Sequence, residues 1–135
     1  MRYLLDTNIC IYISNHRPEP VRARFARCRP GDMAISVVTY TELIFGAWKS
    51  NQRERILSVV RELATLVPVL DLTPAAAEYY AQVRTTLERA GTPIGAFDLL
   101  IAAHALSLNL TVVTNNVREF ERIGNLKIEN WADEE

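Results

Sequence analysis

At 135 residues, with 49% apolar and 23% charged side chains, the chain is long enough to bury a real core and fits one domain spanning 1–135. Fifteen basic against sixteen acidic side chains leave a net charge of −1, so the sum neither advertises nor excludes a nucleic-acid partner, and clustering must decide. Cys10 and Cys28 match no zinc or redox spacing and cannot staple a domain of this size, which excludes a disulfide scaffold and points to core thiols in a reduced, cytoplasmic setting.

The apolar run before Asp6 is too short for a signal peptide or a membrane span. Tyr3-Leu4-Leu5 reads instead as a central parallel strand that stops at a polar loop, Asp6-Thr7-Asn8. Pro18 to Arg29 reads as an amphipathic helix closed by Pro30-Gly31-Asp32, and Met33 to Val38 as a second strand. Thr39 is expected to cap the next helix, with Leu43, Ile44, Ala47 and Trp48 at helical spacing. Gln52 to Leu66 predicts another amphipathic helix, and Pro68 to Leu72 a third strand. Thr73-Pro74 opens an Ala-rich helix that Gly91 ends. Asp98 begins an almost wholly apolar helix to Leu108; Leu110 to Val113 reads as a buried strand and Leu126 to Glu129 as an edge strand. The uncharged stretch Leu99 to Val117 resembles a membrane helix in length, but His104, Ser107, Asn109, Thr114, Asn115 and Asn116 interrupt it, so a buried helix and a buried strand are expected, with no membrane partner.

Alternation of strands and helices along the whole chain predicts an α/β fold, three layers in the order α/β/α, around a parallel sheet of four to five strands. Active groups in such sheets gather at the carboxyl ends of the strands. Asp6, Glu42, Asp98 and the pair Asn115-Asn116 all fall at strand ends or helix starts. Each has a plainer reading: an Asx turn at Asp6, a Thr39/Glu42 capping box, and a helix-dipole partner at Asp98. Converging carboxylates repel one another unless a cation neutralises them, and an all-oxygen donor set selects a hard ion, Mg²⁺ or else Mn²⁺. His104, inside an apolar helix, reads as a core histidine.

The stretches Leu5-Asp6-Thr7-Asn8, Thr41-Glu42-Leu43, Pro93-Ile94-Gly95-Ala96-Phe97-Asp98 and Val113-Thr114-Asn115-Asn116-Val117-Arg118-Glu119-Phe120 together resemble the PIN-domain signature, in the order and approximate spacing of VapC-type toxins. The resemblance covers essentially the entire chain. It implies a metal-dependent endoribonuclease, the toxin of a type II toxin-antitoxin system, with Asp6 and Asp98 as metal ligands and Glu42 as a further acidic member. Many PIN domains carry Asp where this chain has Asn116, and Glu119, one turn further on, is the candidate substitute for that carboxylate. The Pro93-Ile94-Gly95 run and the chain's ending are similar to the enteric VapC subgroup, which implies initiator tRNA(fMet), cut in the anticodon stem-loop, as substrate and a VapB-type antitoxin as partner.

Thr7, Thr114 and Asn116 are candidates for positioning the phosphate or metal-bound waters, hydrogen bonding within turns being the alternative. Arg17, Arg22, Arg24, Arg27 and Arg29 form one basic cluster for phosphate contacts, and Lys49, Arg53, Arg55 and Arg61 a second. Leu57, Val60 and Leu63, surplus apolar helix positions, suggest a homodimer, core packing being the alternative. Two other functions compete. A haloacid-dehalogenase-like phosphohydrolase would use Asp6 as nucleophile but wants a second Asp where Asn8 stands; a non-catalytic PIN-like module binding RNA or protein would not need Asp6, Glu42 and Asp98 intact.

Overall fold

The computed structural model describes residues 1–133. Its elements run β1 (Tyr3–Leu5), α1 (Thr7–Ser14), α2 (Glu19–Arg27), β2 (Met33–Ser36), α3 (Val37–Lys49), α4 (Arg53–Leu66), β3 (Val69–Leu70), α5 (Pro74–Arg89), α6 (Ala96–Leu108), β4 (Thr111–Val113), α7 (Val117–Phe120) and β5 (Ile128–Glu129), with a 3₁₀ turn at Trp131–Asp133. All five strands pair in parallel, in the order β3-β2-β1-β4-β5. The predicted α/β/α arrangement is observed.

Strand alternation divides the core into two layers. Tyr3, Leu5, Met33, Ile35 and Val113 face one side and pack with Ile9, Cys10 and Ile13 of α1, Val21 of α2 and Val60 and Leu63 of α4. Leu4, Ala34 and Val112 face the other, against Leu87 of α5, Phe120 of α7 and Leu99, Ile101, Ala102 and Ala105 of α6. Helix α6 is apolar nearly all round because it lies between the sheet and α5, and its buried alanines let the neighbouring backbones come close. It ends at Asn109, held in the left-handed region at φ 56°, a conformation Asn tolerates better than most residues. The uncharged stretch that mimicked a membrane span is thus α6 followed by β4, and no described helix is long and apolar enough to cross a membrane.

Several expectations need correction. The polar stretch after β1 is no loop: Asp6 is the N-cap of α1, and its Oδ1 accepts from the Ile9 N–H at 3.1 Å, so the chain turns directly from strand into helix. Helix α3 starts earlier than Thr39, because Ser36 caps it by accepting from the Val38 N–H at 3.1 Å; Thr39 is buried inside the helix, and no Thr39/Glu42 capping box forms. Cys10 is fully buried as expected, whereas Cys28 is only half-buried at the margin of the core. Leu57, Val60 and Leu63 are buried within this one chain and give no surplus face for a dimer. Of the basic cluster on α2, Arg22 pairs with Glu19 at 2.6 Å.

Arg24, instead of facing solvent, holds the end of the chain against β1 and α2. Its Nη2 donates to Glu129 at 2.9 Å and to the Tyr3 hydroxyl at 3.1 Å, while the guanidinium lies 5.3 Å from the Trp131 ring centroid. Trp131 Nε1 donates to the same Glu129 oxygen at 3.1 Å, and Trp131 meets Tyr3 edge-on at 5.3 Å. Replacing Arg24 by Ala strips Glu129 of a largely buried partner and uncovers Trp131. We expect a loss of ~1–3 kcal/mol, read as a lower urea midpoint with an unchanged slope.

Candidate active site

The strand order reverses between β1 and β4, so the switch-point crevice opens at the carboxyl ends of these two strands. Asp6 follows β1 and Thr114 follows β4, and the Thr114 hydroxyl donates to Asp6 Oδ2 across the crevice. The same hydroxyl oxygen accepts from the Asn116 N–H at 2.8 Å, which fixes the start of the loop leading into α7. Asp6 is 4% exposed, with both its oxygens hydrogen-bonded, so its orientation is determined before any ligand arrives.

Glu42 reaches the crevice from the second turn of α3. The Thr7 hydroxyl donates to Glu42 Oε1 at 2.6 Å, linking the first residue of α1 to α3. Asp98 stands in the first turn of α6, where Asn116 Nδ2 donates to its Oδ2 at 3.3 Å. Asn116, the N-cap residue of α7, therefore spends its side chain on Asp98 and not on capping its own helix. Glu119, inside α7, stands close enough to Asp98 for its carboxyl to act on that of Asp98. The five residues predicted for the site thus meet in one place, although their sequence positions run from Asp6 to Glu119.

Electrostatics report the crowding. Burial raises the Asp6 carboxyl to about 6, and the charge of Glu42 adds to that rise, against the pull of the Thr114 hydroxyl and the Ile9 N–H. Asp98 is raised to about 7 by burial first, then by its hydrogen bond with Glu119 and by the charges of Glu119, Asp6 and Glu42. Among the described residues no three His, Cys, Asp or Glu side chains form a ready-made metal cage. The site is an open acidic cleft with oxygen donors, a donor set that suits an ion keeping several waters and taking one or two carboxylates plus substrate phosphate.

His104 stays out of this chemistry. It is 1% exposed, pairs through Nδ1 with the Ser36 hydroxyl at 2.8 Å, and burial lowers its pKa, so it is a neutral core histidine that steadies the cap of α3. Asn8, where a dehalogenase-like enzyme would carry its second Asp, is an exposed residue of α1. Arg55, placed by the sequence in the second basic cluster, lines a groove of about 350 Å³ together with Thr7, Ile11, Glu42 and Val59, a position beside Glu42 that the sequence did not show. No local signal announces that, because the α3–α4 connection brings it there.

The Thr114 hydroxyl can be tested directly. Thr114→Val keeps the shape of the side chain but removes the donor to Asp6 and the acceptor for Asn116 N–H. With Asp6 holding the metal that the resemblance implies, RNA cleavage should fall ~10–100-fold, the usual cost of losing a group that orients a metal ligand, while the far-ultraviolet circular dichroism stays unchanged. An unaltered rate would separate Thr114 from the site.

The chain is similar to known proteins along nearly its whole length. The PIN domain family model matches residues 3–126. The tRNA(fMet)-specific endonuclease VapC of Shigella flexneri is 48% identical over 132 residues, covering 98% of this chain and 99% of the relative. Ribonuclease VapC2 of Haemophilus influenzae is 40% identical over 132 residues, covering 98% of this chain and 99% of the relative. Among solved structures, the DNA-bound VapBC of Salmonella typhimurium superposes with a TM-score of 0.91 at 46% identity, covering 97% of this chain and 98% of that one. VapBC-1 of nontypeable Haemophilus influenzae gives a TM-score of 0.90 at 40% identity, covering 98% of this chain and 100% of that one. This chain belongs to the PIN-domain family and, within it, to the VapC ribonucleases.

Proposed function

We propose that the chain hydrolyses RNA phosphodiester bonds with the help of Mg²⁺, for which Mn²⁺ would substitute, and that initiator tRNA(fMet) is its substrate. The observation that carries the metal reading is the convergence of Asp6, Glu42, Asp98 and Glu119 on one cleft, where two of the carboxyls are pushed to about 6 and about 7. Such a cluster is unfavourable by itself and becomes favourable when a hard cation is held there. Asp6 and Asp98 would be the ligands. When bound, the ion would supply Lewis-acid charge at the scissile phosphate and an acidified water. Asp6 is held at a fixed angle by Thr114 and the Ile9 N–H. Glu42, hydrogen-bonded by Thr7, would accept a hydrogen bond from an attacking water, and Asn116, hydrogen-bonded to Asp98, would orient it. No side-chain nucleophile is required. The tRNA substrate follows the names of the Shigella flexneri and Salmonella typhimurium relatives, tRNA(fMet)-specific endonucleases at 48% and 47% identity.

The solved relatives are VapBC complexes, which supports a VapB-type antitoxin as partner and a toxin's role for this chain. Two adjoining grooves run between α1 and α4, one with Thr7 and Glu42 at its wall and the next lined by Ile13, Phe25, Leu63 and Leu66. An antitoxin segment laid along them with apolar side chains would end at the acidic cleft, where a basic side chain would take the place of the cation. A homodimer, no longer motivated by the buried Leu57, Val60 and Leu63, is tested by sedimentation of the free chain, and two free thiols suit a cytoplasmic setting.

The test is to incubate the protein with total tRNA and Mg²⁺, with and without chelator, and to map the new ends. Chelator-sensitive cleavage leaving 5′-phosphate and 3′-hydroxyl ends is expected, since a water displaces the 3′ oxygen. Cyclic 2′,3′-phosphate ends, which need attack by the RNA's own 2′-hydroxyl, would refute it. A trapped acyl-phosphate on Asp6 would favour the dehalogenase-like reaction instead.

A further inference from the structure

An acidic cleft repels the phosphates of the polymer it cuts, so the binding energy must come from beside it. One surface next to Glu42 has the composition for this. Phe45 and Trp48 of α3 are 64% and 55% exposed, the most exposed aromatic side chains of the described residues. Each carries a cation: Lys49 Nζ lies 5.5 Å from the centre of the Phe45 ring, and the Arg53 guanidinium 4.0 Å from that of Trp48. Arg53 also donates to the Trp48 carbonyl at 3.0 Å, which pins the guanidinium over the indole. The hydrogen bonds recorded for Arg53 and Arg55 go to a backbone carbonyl and to the Gln52 amide, both neutral, so these contacts do not offset their charge. Between Leu43 and Arg61 the sequence has one acid, Glu54.

The placement is as telling as the composition. Glu42, Phe45 and Lys49 follow one another at spacings of three and four residues and share one stripe of α3. From Glu42 to Lys49 the helix rises ~10 Å, so the ridge starts at the cleft and leads away from it. Arg55, on the first turns of α4, fills the angle between ridge and cleft. Flat π-faces bearing cations are the combination that binds unpaired nucleotides, bases stacking on the rings while phosphates meet the charges.

We propose that Phe45, Trp48, Lys49, Arg53 and Arg55 form a docking ridge for an unpaired stretch of the RNA substrate adjoining the scissile bond. The proposal rests on the ribonuclease reading. Its occupant is single-stranded RNA and not a second copy of the chain, because the ridge is cationic and two copies of it would bring like charges together.

The chain has two tryptophans, and Trp131 is fully buried, so exposed Trp48 dominates any ligand-induced fluorescence change. Titrating the metal-free protein with a short unstructured RNA should quench that emission. Trp48→Ala should abolish the quenching and raise KM for RNA about tenfold with kcat within about twofold, the expected loss for one stacked base. Trp48→Phe should restore most of the affinity. Arg53→Gln with Arg55→Gln should flatten the dependence of binding on salt. Absent quenching, an unchanged KM, or a variant whose sedimentation mass changes in place of its RNA affinity would overturn the proposal, the last by making the ridge a protein contact. A protein that is quenched by RNA yet cleaves none would leave the ridge standing and refute the ribonuclease reading.

Discussion

Asp6→Asn will abolish RNA cleavage while leaving the metal-free chain at least as stable as the parent. Both halves follow from the same buried carboxylate. Partners of metal ligands cost ~10–100-fold in affinity or activity when removed, and a ligand itself should cost at least the upper end of that range. Asn keeps the oxygen that accepts from the Ile9 N–H, so the cap of α1 survives, and the Thr114 hydroxyl can turn to accept from the new amide. Removing the charge also removes its repulsion with Glu42 and the cost of burying an ion, the two influences that raise Asp6 to about 6. The measurement pairs a cleavage assay with urea unfolding in chelator. An Asp6→Asn protein that cuts RNA at the parental rate would remove Asp6 from the site, and one that is markedly less stable would show that its role is structural.

The second expected result is a pH dependence of stability that Mg²⁺ reverses. Asp6 and Asp98 both titrate in the folded chain well above their ordinary 3.8, at about 6 and about 7. Between the unfolded and folded values the native state therefore holds more protons than the unfolded one, and stability falls as pH rises through that window. The contribution is fully present below pH ~4; Asp6's is lost by about 6 and that of Asp98 by about 7. For buried Asp6 the change is on the order of 2–3 kcal/mol; Asp98, half-exposed, contributes less. Comparison with Asp6→Asn isolates the effect from other groups: the variant's advantage should grow from pH 4 to 6 and then level off. Adding Mg²⁺ favours the ionised carboxylates, so its stabilising effect should increase over the same window. Stabilisation by Mg²⁺ that is equal at pH 5 and pH 8 would place the ion elsewhere.

Strand and helix periodicity made the architecture legible in the amino-acid order. Tyr3-Leu4-Leu5 and Leu110 to Val113 read as buried strands because a parallel strand covered on both faces is apolar without interruption. Asp6, Glu42, Asp98 and Asn116 were recognisable as a group because strand ends and helix starts pointed to one edge, Glu119 joined them only through the resemblance to the PIN-domain signature, and the fold brings all five there. Boundaries were less legible. Asp6-Thr7-Asn8 looks like a turn since the same side chains that make Asx turns also cap helices, and only the α1 backbone, packed through Ile9 and Ile13, decides between them. Thr39 looked like a cap for the same reason, although Ser36 takes that place.

The roles that depend on partners distant in sequence belonged to tertiary structure alone. Leu57, Val60 and Leu63 looked like surplus until α4 closed over α1, and Arg24 looked like one more phosphate-binding cation until β5 brought Glu129 to it. Thr7 meets Glu42 and Thr114 meets Asp6 across 35 and 108 residues, spacings at which no local pattern carries information. The sequence by itself determined the periodicities and hence the layers, because burial acts on each element through its own pattern. Which hydroxyl aims which carboxylate, and how far their charges raise one another, was decided only when the crossovers set β1 beside β4.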